Sequence, residues 1–234
     1  MKIKAVLFDL DGTLLPQDQD VFVKAYFGAL AECMAPHGYE PERLVETVWK
    51  GTAAMMKNTG ENTNESVFWK VFTEEYGEQS LSDKPLFDEF YKTGFDAVRN
   101  TCGFNPDVSG IVSKLSERFR LIVATNPIFP ITASESRIRW AGLDPVQFEL
   151  VTSYENSRYS KPSAGYYSDI AAFAGLHTEE CLMVGNDVRD DMSAAAVGMK
   201  VFLLTDCLIN KKDVDISLYP HGGFDDLIRY IDSL

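Results

Sequence analysis

The stretch FDLDGTL, residues 8–14, places two aspartates and a glycine directly after the apolar run Ile3 to Phe8. Apolar runs of this length are typical of strands in a parallel sheet that is covered on both faces. In open sheets of that kind, ligands gather at the carboxyl ends of the strands. The stretch therefore predicts a first strand that ends at a ligand site, with Asp9 and Asp11 at its edge.

Three later apolar runs predict three more strands of the same buried kind. They span Leu121 to Ala124, Leu182 to Val184, and Val201 to Leu204. Helical patterns lie between them, one at residues 111–119 and another at residues 168–174. Strands that alternate with helices in this way predict an α/β fold, with a doubly wound, parallel-sheet, Rossmann-like core.

The stretch from residue 16 to residue 104 contains no convincing strand and carries helical patterns instead. Apolar residues share one helical face near residues 21–33, 67–72 and 87–98, and turn-rich segments separate them. We therefore expect an all-helical cap domain inserted after the first strand. The expected boundaries are 16–104 for the cap, and 1–15 together with 105–234 for the α/β core.

The length and charge of the chain limit its partners. It has 234 residues and a formal net charge of −13. That length suffices for one sizeable core plus a smaller inserted domain. An acidic chain repels nucleic acid and anionic membranes, so we expect neither as a partner, and the sequence does not indicate the oligomeric state. A site for an anionic phosphate would need a local source of positive charge.

The sequence shows no targeting signal. The apolar run before Asp9 is too short for a signal-peptide core, and no segment approaches the roughly 20 apolar residues of a membrane helix. The four cysteines are scattered and lack the C-x-x-C spacing of a zinc or redox site, which favours small core residues. Together these features predict a cytoplasmic protein.

The aspartate pair of the first motif suggests a metal site. Asp9 and Asp11 alternate along the chain, and a turn at Gly12 would aim both carboxylates at one point. Two close carboxylates repel each other unless a cation or a shared proton relieves them. Mg²⁺ fits, because it takes hard oxygen ligands and keeps waters and a substrate phosphate. Taken alone, the motif is equally consistent with two acids that merely close a strand.

Three further polar motifs follow or flank predicted strand ends. Thr125-Asn126 offers a hydroxyl and backbone N–H groups that can hold a phosphate oxygen. Lys161 precedes a predicted helix and supplies a positive charge. GNDVRDD, residues 185–191, places three acids where they repel one another unless a cation is near. Each motif alone has an ordinary structural explanation, but together and in this order they predict a catalytic site.

The order of these motifs resembles that of the haloacid dehalogenase (HAD) superfamily of phosphotransferases. The family's first motif is matched by DLDGT at residues 9–13, its second by Thr125, its third by Lys161, and its fourth by Asp187 and Asp191. The match covers the predicted α/β core, and the helical insert is similar to the family's C1-type cap. The combination is specific for the superfamily and poorly specific for the substrate.

The fourth motif departs from the family pattern. Many relatives have Gly-Asp here, where this chain has Gly185, Asn186 and then Asp187. The spacing of Asp187 to Asp191 matches the family's D-x-x-x-D form, which favours Asp187 as the metal ligand and Asn186 as a supporting neighbour. In the other register Asn186 would be the ligand, through a neutral amide oxygen that binds more weakly.

The resemblance implies a magnesium-dependent phosphatase that acts on a small phosphorylated metabolite. Asp9 would attack phosphorus and form an aspartyl phosphate, and Asp11 would act as general acid and then as general base, in an environment that raises its pKa. Mg²⁺ would be held by Asp9, Asp11 through its backbone carbonyl, and Asp187. The implied phosphate-binding and supporting groups are Thr125, Asn126, Lys161, the N–H of Leu10, and Asp191.

Other functions stay open on the sequence alone. A sugar phosphomutase needs the same Asp9–Asp11 pair, and the cap would decide whether water or a sugar hydroxyl accepts the phosphoryl group. A dehalogenase would use Asp9 on carbon and would need neither Asp11 nor the metal site. A signalling receiver would keep a long-lived phospho-aspartate, and an inactive binding module would lack a key acid.

Overall fold

Six parallel strands form one sheet in the part of the chain that the computed structural model describes, residues 2–234. The strands are β1 (Ala5–Phe8), β2 (Arg120–Val123), β3 (Leu150–Val151), β4 (Cys181–Gly185), β5 (Lys200–Leu204) and β6 (His221–Gly222). Their spatial order is β3-β2-β1-β4-β5-β6, so the chain winds outward in both directions from the centre. This is the doubly wound α/β fold that the sequence predicts.

The helices lie on both faces of the sheet and in the insert between β1 and β2. The α-helices are α1 (Gln19–Met34), α2 (Pro41–Met56), α3 (Asn64–Tyr76), α4 (Lys84–Glu89), α5 (Val108–Ser116), α6 (Ile131–Trp140), α7 (Ala164–Phe173) and α8 (Phe224–Asp232). A π-helix (Phe90–Gly94) and a 3₁₀ helix (Phe95–Thr101) close the insert. Within residues 2–234, no helix has the length and apolar character needed to cross a membrane.

The four runs predicted as strands are confirmed as β1, β2, β4 and β5, with slightly different ends. The edge strands β3 and β6 were not predicted. Each has two residues, which is too short for a hydrophobic period to be visible in the sequence. They are defined by pairing with β2 and β5, a property of the assembled sheet.

The register of the central strands brings their following loops to one place. Phe8, the last residue of β1, is level with Val123 of β2 and Val184 of β4. Asp9 continues the ladder, because its N–H donates to the carbonyl oxygen of Val184 at 2.9 Å. The loops that follow the three strands therefore begin at the same edge of the sheet.

The side chains of β1 alternate between two apolar layers. Val6 and Phe8 pack into one buried cluster, and Ala5 and Leu7 pack into a second cluster that includes Tyr166 of α7. Burying a side chain the size of Phe8 stabilises the fold by about 1.5–3 kcal/mol. Both faces of β1 are thus covered, as the continuous apolar run predicts.

The helical insert begins and ends at neighbouring points of the core. Gln17 and Cys102 form an antiparallel bridge, and the N–H of Gly103 donates to the carbonyl oxygen of Pro16 at 2.7 Å. The chain described between these points contains no strand. An inserted helical region agrees with the sequence analysis, while its independence as a domain at 16–104 stays a prediction.

Aromatic side chains join the insert to the core. Phe22 and Tyr26 of α1 meet Phe129 of the loop after β2 edge to face, with ring centroids 6.3 and 5.2 Å apart. Phe95 stacks on Trp140 of α6 at 5.0 Å. Pairs of this kind contribute about 0.5–1.5 kcal/mol beyond their buried area. These contacts hold α1 beside the carboxyl edge of the sheet.

Candidate active site

A cavity of about 140 Å³ lies at the carboxyl edge of the sheet, beside α1, and we call it the active-site cavity. Its lining contains most of the side chains that the motifs predict: Asp9, Asp11, Thr125, Asn126, Lys161, Asn186, Asp187 and Asp191, together with Arg137 and Asp190. These residues lie far apart in sequence and meet because β1, β2 and β4 are neighbours. Leu10 is fully buried between the two aspartates of the first motif.

Lys161 is buried between two carboxylates. Its ammonium donates to Asp9 Oδ1 at 2.7 Å and to Asp191 Oδ1 at 2.6 Å, and the residue is 2% exposed. Burial alone would lower the pKa of Lys161, but the carboxylates of Asp191 and Asp9 outweigh it and raise that pKa well above its ordinary value. Lys161 is therefore a fixed cation that orients one oxygen of Asp9.

The turn after β1 packs tightly against the loop after β4. Gly12 has a φ of +83°, and a Cβ at this position would lie 2.3 Å from Asn186 Nδ2. The Thr13 hydroxyl lies 3.1 Å from Asp9 Oδ2 and 3.1 Å from Asn186 Oδ1. Glycine at position 12 thus allows the two loops to approach until Thr13 contacts both.

The orientation of Asn186 is fixed by its amide group. Its Nδ2 donates to the carbonyl oxygen of Cys207 at 2.6 Å, and the residue is buried. Because the nitrogen is used in this way, the amide oxygen faces Thr13 and the Asp9 side of the cavity. Asn186 therefore presents its amide oxygen to the cavity, as the alternative register of the fourth motif requires.

Asp187 lines the cavity but also closes its own loop. Its Oδ1 accepts the N–H groups of Arg189 at 2.7 Å and Asp190 at 2.9 Å. Its N–H donates to Asp191 Oδ2 at 2.9 Å. One oxygen of the Asp187 carboxylate is thus occupied by the backbone of the turn.

Asp11 forms an ion pair with Arg137, which lies outside all four sequence motifs. Arg137 is 1% exposed, and its Nη1 contacts Asp11 Oδ2. The Thr125 hydroxyl donates to the same oxygen at 3.4 Å. Burial raises the pKa of Asp11, and the positive charge of Arg137 opposes that rise without cancelling it. The raised pKa agrees with the expectation for a general acid.

Several contacts within the fold hold Arg137 in place. Its Nε donates to the carbonyl oxygen of Ala133 at 3.2 Å, and its Nη2 donates to Ser134 Oγ at 3.3 Å. The guanidinium also lies over the ring of Phe129, 4.7 Å from the centroid.

The sequence contains one signal that could have identified Arg137. It shares the buried face of α6 with Ala133 and Ser134, whereas Arg139 points to solvent and pairs with Glu135. An arginine on a buried face needs a partner. That partner, Asp11, lies 126 positions away, so the sequence alone does not reveal it.

Three buried oxygens at the cavity have no hydrogen-bond partner among residues 2–234. They are Asp11 Oδ1, Asn126 Oδ1 and Asp190 Oδ1. Leaving a buried acceptor unpaired costs about 1–3 kcal/mol, so such atoms mark positions where water, an ion or a ligand binds. In the same part of the chain, His, Cys, Asp and Glu side chains form no cluster of three suited to a metal. A cation here would therefore also need amide or backbone oxygens.

A doubly wound parallel sheet with an acid-rich, lysine-containing cavity at its carboxyl edge defines a recognisable class of α/β protein. The family described as "Hydrolase: haloacid dehalogenase-like hydrolase" matches residues 3–198. The chain belongs to this family and is a hydrolase.

Individual relatives are similar over most of the chain. A phosphoglycolate phosphatase from Photorhabdus laumondii subsp. laumondii is 28% identical over 206 residues, which cover 87% of this chain and 80% of the relative. One from Chromobacterium violaceum is 25% identical over 201 residues, 84% of this chain and 82% of the relative. Among solved structures, a 2-haloacid dehalogenase from Pseudomonas syringae pv. Tomato has a TM-score of 0.63 at 20% identity and covers 97% of this chain and 99% of its own. That likeness shows a shared fold.

Proposed function

We propose that this chain is a magnesium-dependent phosphatase that hydrolyses a small phosphorylated metabolite through an aspartyl phosphate on Asp9. The observation that carries the proposal is Asp11, a second carboxyl that lines the same cavity as Asp9 and is held there by Arg137. Cleavage of a phosphate ester needs a nucleophile and a proton donor, whereas displacement of halide from carbon needs only the nucleophile. The phosphatase names of the curated relatives support the same conclusion.

The proposed reaction has two displacements at phosphorus. An oxygen of the Asp9 carboxylate attacks phosphorus, the bond to the ester oxygen breaks, and Asp11 gives its proton to that oxygen. Water then attacks the phosphoryl group, Asp11 takes a proton from the water, and the bond between phosphorus and Asp9 breaks. Asp11 ends protonated and inorganic phosphate leaves, so the cycle closes.

The phosphate oxygens have suitable donors around Asp9. The backbone N–H groups of Leu10 and Asp11 bond to no backbone carbonyl among residues 2–234 and would add contacts to an anion held at Asp9. Thr125 contributes a hydroxyl and Asn126 an amide at the end of β2. Lys161 supplies the local positive charge that a protein of net charge −13 needs in order to hold phosphate.

The oxygen atoms of the cavity fit Mg²⁺. Asp9 offers a carboxylate, Asp11 a backbone carbonyl, and Asn186 an amide oxygen that faces the site. The Oδ1 atoms of Asp11 and Asp190 have no hydrogen-bond partner among residues 2–234 and would accept from water beside a bound ion. Mg²⁺ keeps several waters and often takes only one or two protein carboxylates, so three clustered acids are not required. When bound, it neutralises charge on the transferring phosphoryl group.

Removal of the metal tests the proposed chemistry directly. With Mg²⁺, the purified protein is expected to release inorganic phosphate from acetyl phosphate, and EDTA should lower the rate by about a hundredfold or more. A colorimetric phosphate assay measures the first reaction, and chloride release from 2-chloropropionate measures the rival one. Chloride release without phosphate release would make the chain a dehalogenase.

Matched variants decide between the two candidate ligands of the fourth motif. We favour Asn186, because one oxygen of Asp187 already accepts two backbone N–H groups. Asn186→Ala should raise the Mg²⁺ concentration for half-maximal activity by about tenfold or more. Asp187→Asn keeps an acceptor for the turn and should change that concentration less. The opposite order would assign the ligand to Asp187, as the sequence spacing favours.

We also propose that Arg137 positions Asp11 as the proton donor. Arg137→Met replaces the guanidinium with an apolar chain of similar length, which leaves Asp11 without its ion pair. The rate for an alkyl phosphate should fall by about ten- to a hundredfold, because a poor leaving group depends on protonation. The rate for acetyl phosphate should fall much less, because acetate leaves without a proton.

The comparison of the two substrates separates positioning from structural damage. Arg137→Lys restores the charge but not the planar fork that contacts Asp11 and Ser134, so it should recover only part of the alkyl phosphate rate. Equal losses for both substrates in Arg137→Met would contradict a role that acts through the general acid.

A further inference from the structure

A second cavity, of about 70 Å³, lies between the helical insert and the loop after β2. We call it the apolar cavity and define it by Tyr26, Trp49, Thr52, Phe68, Trp69 and Phe129. Its walls come from α1, α2 and α3 of the insert and from the segment that follows Thr125 and Asn126. It is therefore formed by the insert and the core together.

The apolar cavity adjoins the active-site cavity. Val23, Ile128 and Phe129 line both of them. Phe129 is fixed in this wall, because its ring meets Tyr26 on one side and the guanidinium of Arg137 on the other. If the phosphate of a substrate lies at Asp9, its leaving group can lie beside Phe129, which also lines the apolar cavity.

The lining of the apolar cavity is uncharged. Among residues 2–234, the side chains that line it include no Asp, Glu, Lys, Arg or His. The hydroxyls of Tyr26 and Tyr91 bond to each other at 2.7 Å, and the Thr52 hydroxyl donates to the carbonyl oxygen of Val48 at 2.9 Å. These polar groups are already used within the protein, so the wall presents mainly aromatic and aliphatic surface.

The charges of the active-site cavity do not supply a receptor for a carboxylate on the leaving group. Lys161 is shared between Asp9 and Asp191, and Arg137 pairs with Asp11. A second negative charge on the substrate would meet either the acidic groups of the active-site cavity or the uncharged wall of the apolar cavity. Both are unfavourable for an anion.

We infer that the preferred substrate is a phosphate monoester of an apolar alcohol whose apolar group reaches the apolar cavity, and not a phosphorylated hydroxy acid. This inference rests on the proposed phosphatase function. It differs from what the names of the curated relatives suggest, since phosphoglycolate carries a carboxylate on its leaving group.

Benzyl phosphate and phosphoglycolate provide a matched pair, because each joins a phosphate to a CH₂ group that carries either a phenyl ring or a carboxylate. We expect kcat/KM for benzyl phosphate to exceed that for phosphoglycolate by about tenfold or more, since apolar area leaves water on binding. The fluorescence of Trp49 and Trp69 should also respond to benzylphosphonate at about tenfold lower concentration than to phosphonoacetate.

Two variants of α2 locate the effect. Thr52→Phe fills the apolar cavity and should reduce the ratio of benzyl phosphate to acetyl phosphate activity by about tenfold. Ala53→Phe adds the same side chain at the next, exposed position and should keep the wild-type ratio. Circular dichroism checks that both variants fold. The titration of the wild type with the two phosphonates tests the ligand preference without any variant.

The outcomes separate failure of the inference from failure of the proposed function. Hydrolysis of acetyl phosphate with equal or better use of phosphoglycolate would overturn the apolar substrate class and leave the phosphatase intact. A wild-type ratio in Thr52→Phe would also overturn it. Failure to hydrolyse acetyl phosphate and both esters in the presence of Mg²⁺ would overturn the phosphatase proposal, and the inference with it.

Discussion

Replacing Asp9 with asparagine is expected to lower the rate of phosphate release by about a thousandfold or more while the fold survives. Asparagine has no carboxylate, so it cannot attack phosphorus in the proposed covalent step. The other catalytic residues act on that step, so most of their contribution to the rate is lost as well. The remaining rate would come from binding and orientation by the rest of the cavity.

The fold should survive because asparagine replaces aspartate with nearly the same shape. Its amide oxygen can still accept from Lys161 or Thr13, which contact the two oxygens of Asp9 at 2.7 and 3.1 Å. Lys161 also keeps its bond to Asp191 at 2.6 Å, so its charge remains paired. The thermal midpoint measured by circular dichroism should therefore stay close to that of the wild type.

A chemical readout distinguishes a nucleophile from a residue that only binds. Rapid acid quench of the wild type during turnover of a ³²P-labelled phosphate donor should leave label on the protein, and Asp9→Asn should carry none. Asp206→Asn is the matched control, because Asp206 is exposed just after β5 and does not line the active-site cavity. Turnover by Asp9→Asn at the wild-type rate would remove Asp9 from the mechanism.

The parts of the fold that the sequence predicts are those determined by local patterns. Apart from their first residues Arg120 and Lys200, the strands β1, β2, β4 and β5 are buried, so their composition is apolar and visible in short windows. β3 and β6 are two-residue pairings at the edges, and they exist because a neighbouring strand offers its backbone. No property of Leu150-Val151 or His221-Gly222 alone marks them as strands.

In the candidate site too, the sequence predicts the residues of local motifs and does not predict features that depend on contacts between distant elements. The motif residues after each strand come together because the strand order makes their loops neighbours, and the sequence analysis selected them by position and residue type. Arg137 was missed because its role depends on Asp11, on a different element. The orientation of Asn186 depends on the backbone carbonyl of Cys207. Every residue has such a carbonyl, so the sequence does not indicate which one accepts the bond.

Lys161→Met is expected to lower both stability and activity, and a second substitution should separate the two effects. Lys161 and Asp191 are 2% and 1% exposed, and removal of the cation leaves the Asp191 carboxylate buried without its partner. Breaking a buried pair in this way costs about 3–5 kcal/mol of unfolding free energy. Denaturant unfolding, read as a shift in midpoint at constant slope, measures the loss.

Adding Asp191→Asn to Lys161→Met should restore most of the lost stability. The asparagine is neutral, so the buried uncompensated charge disappears, and its amide oxygen can still accept the N–H of Asp187 that now bonds to Asp191 Oδ2 at 2.9 Å. Activity should stay at the level of Lys161→Met, about a hundredfold or more below the wild type, because the cation that orients Asp9 and attracts phosphate is still missing. Lys114→Met, at an exposed position of α5, should change neither quantity.

The stability and the activity of the double variant together test what Lys161 does. A purely structural role and a catalytic role lead to different expected activities. If Lys161 served only to neutralise Asp191, removing both charges would restore activity together with stability. If it also holds Asp9 and the phosphate, as its 2.7 Å bond to Asp9 Oδ1 indicates, stability returns and turnover does not. Recovery of turnover in the double variant would therefore exclude Lys161 from the catalytic group.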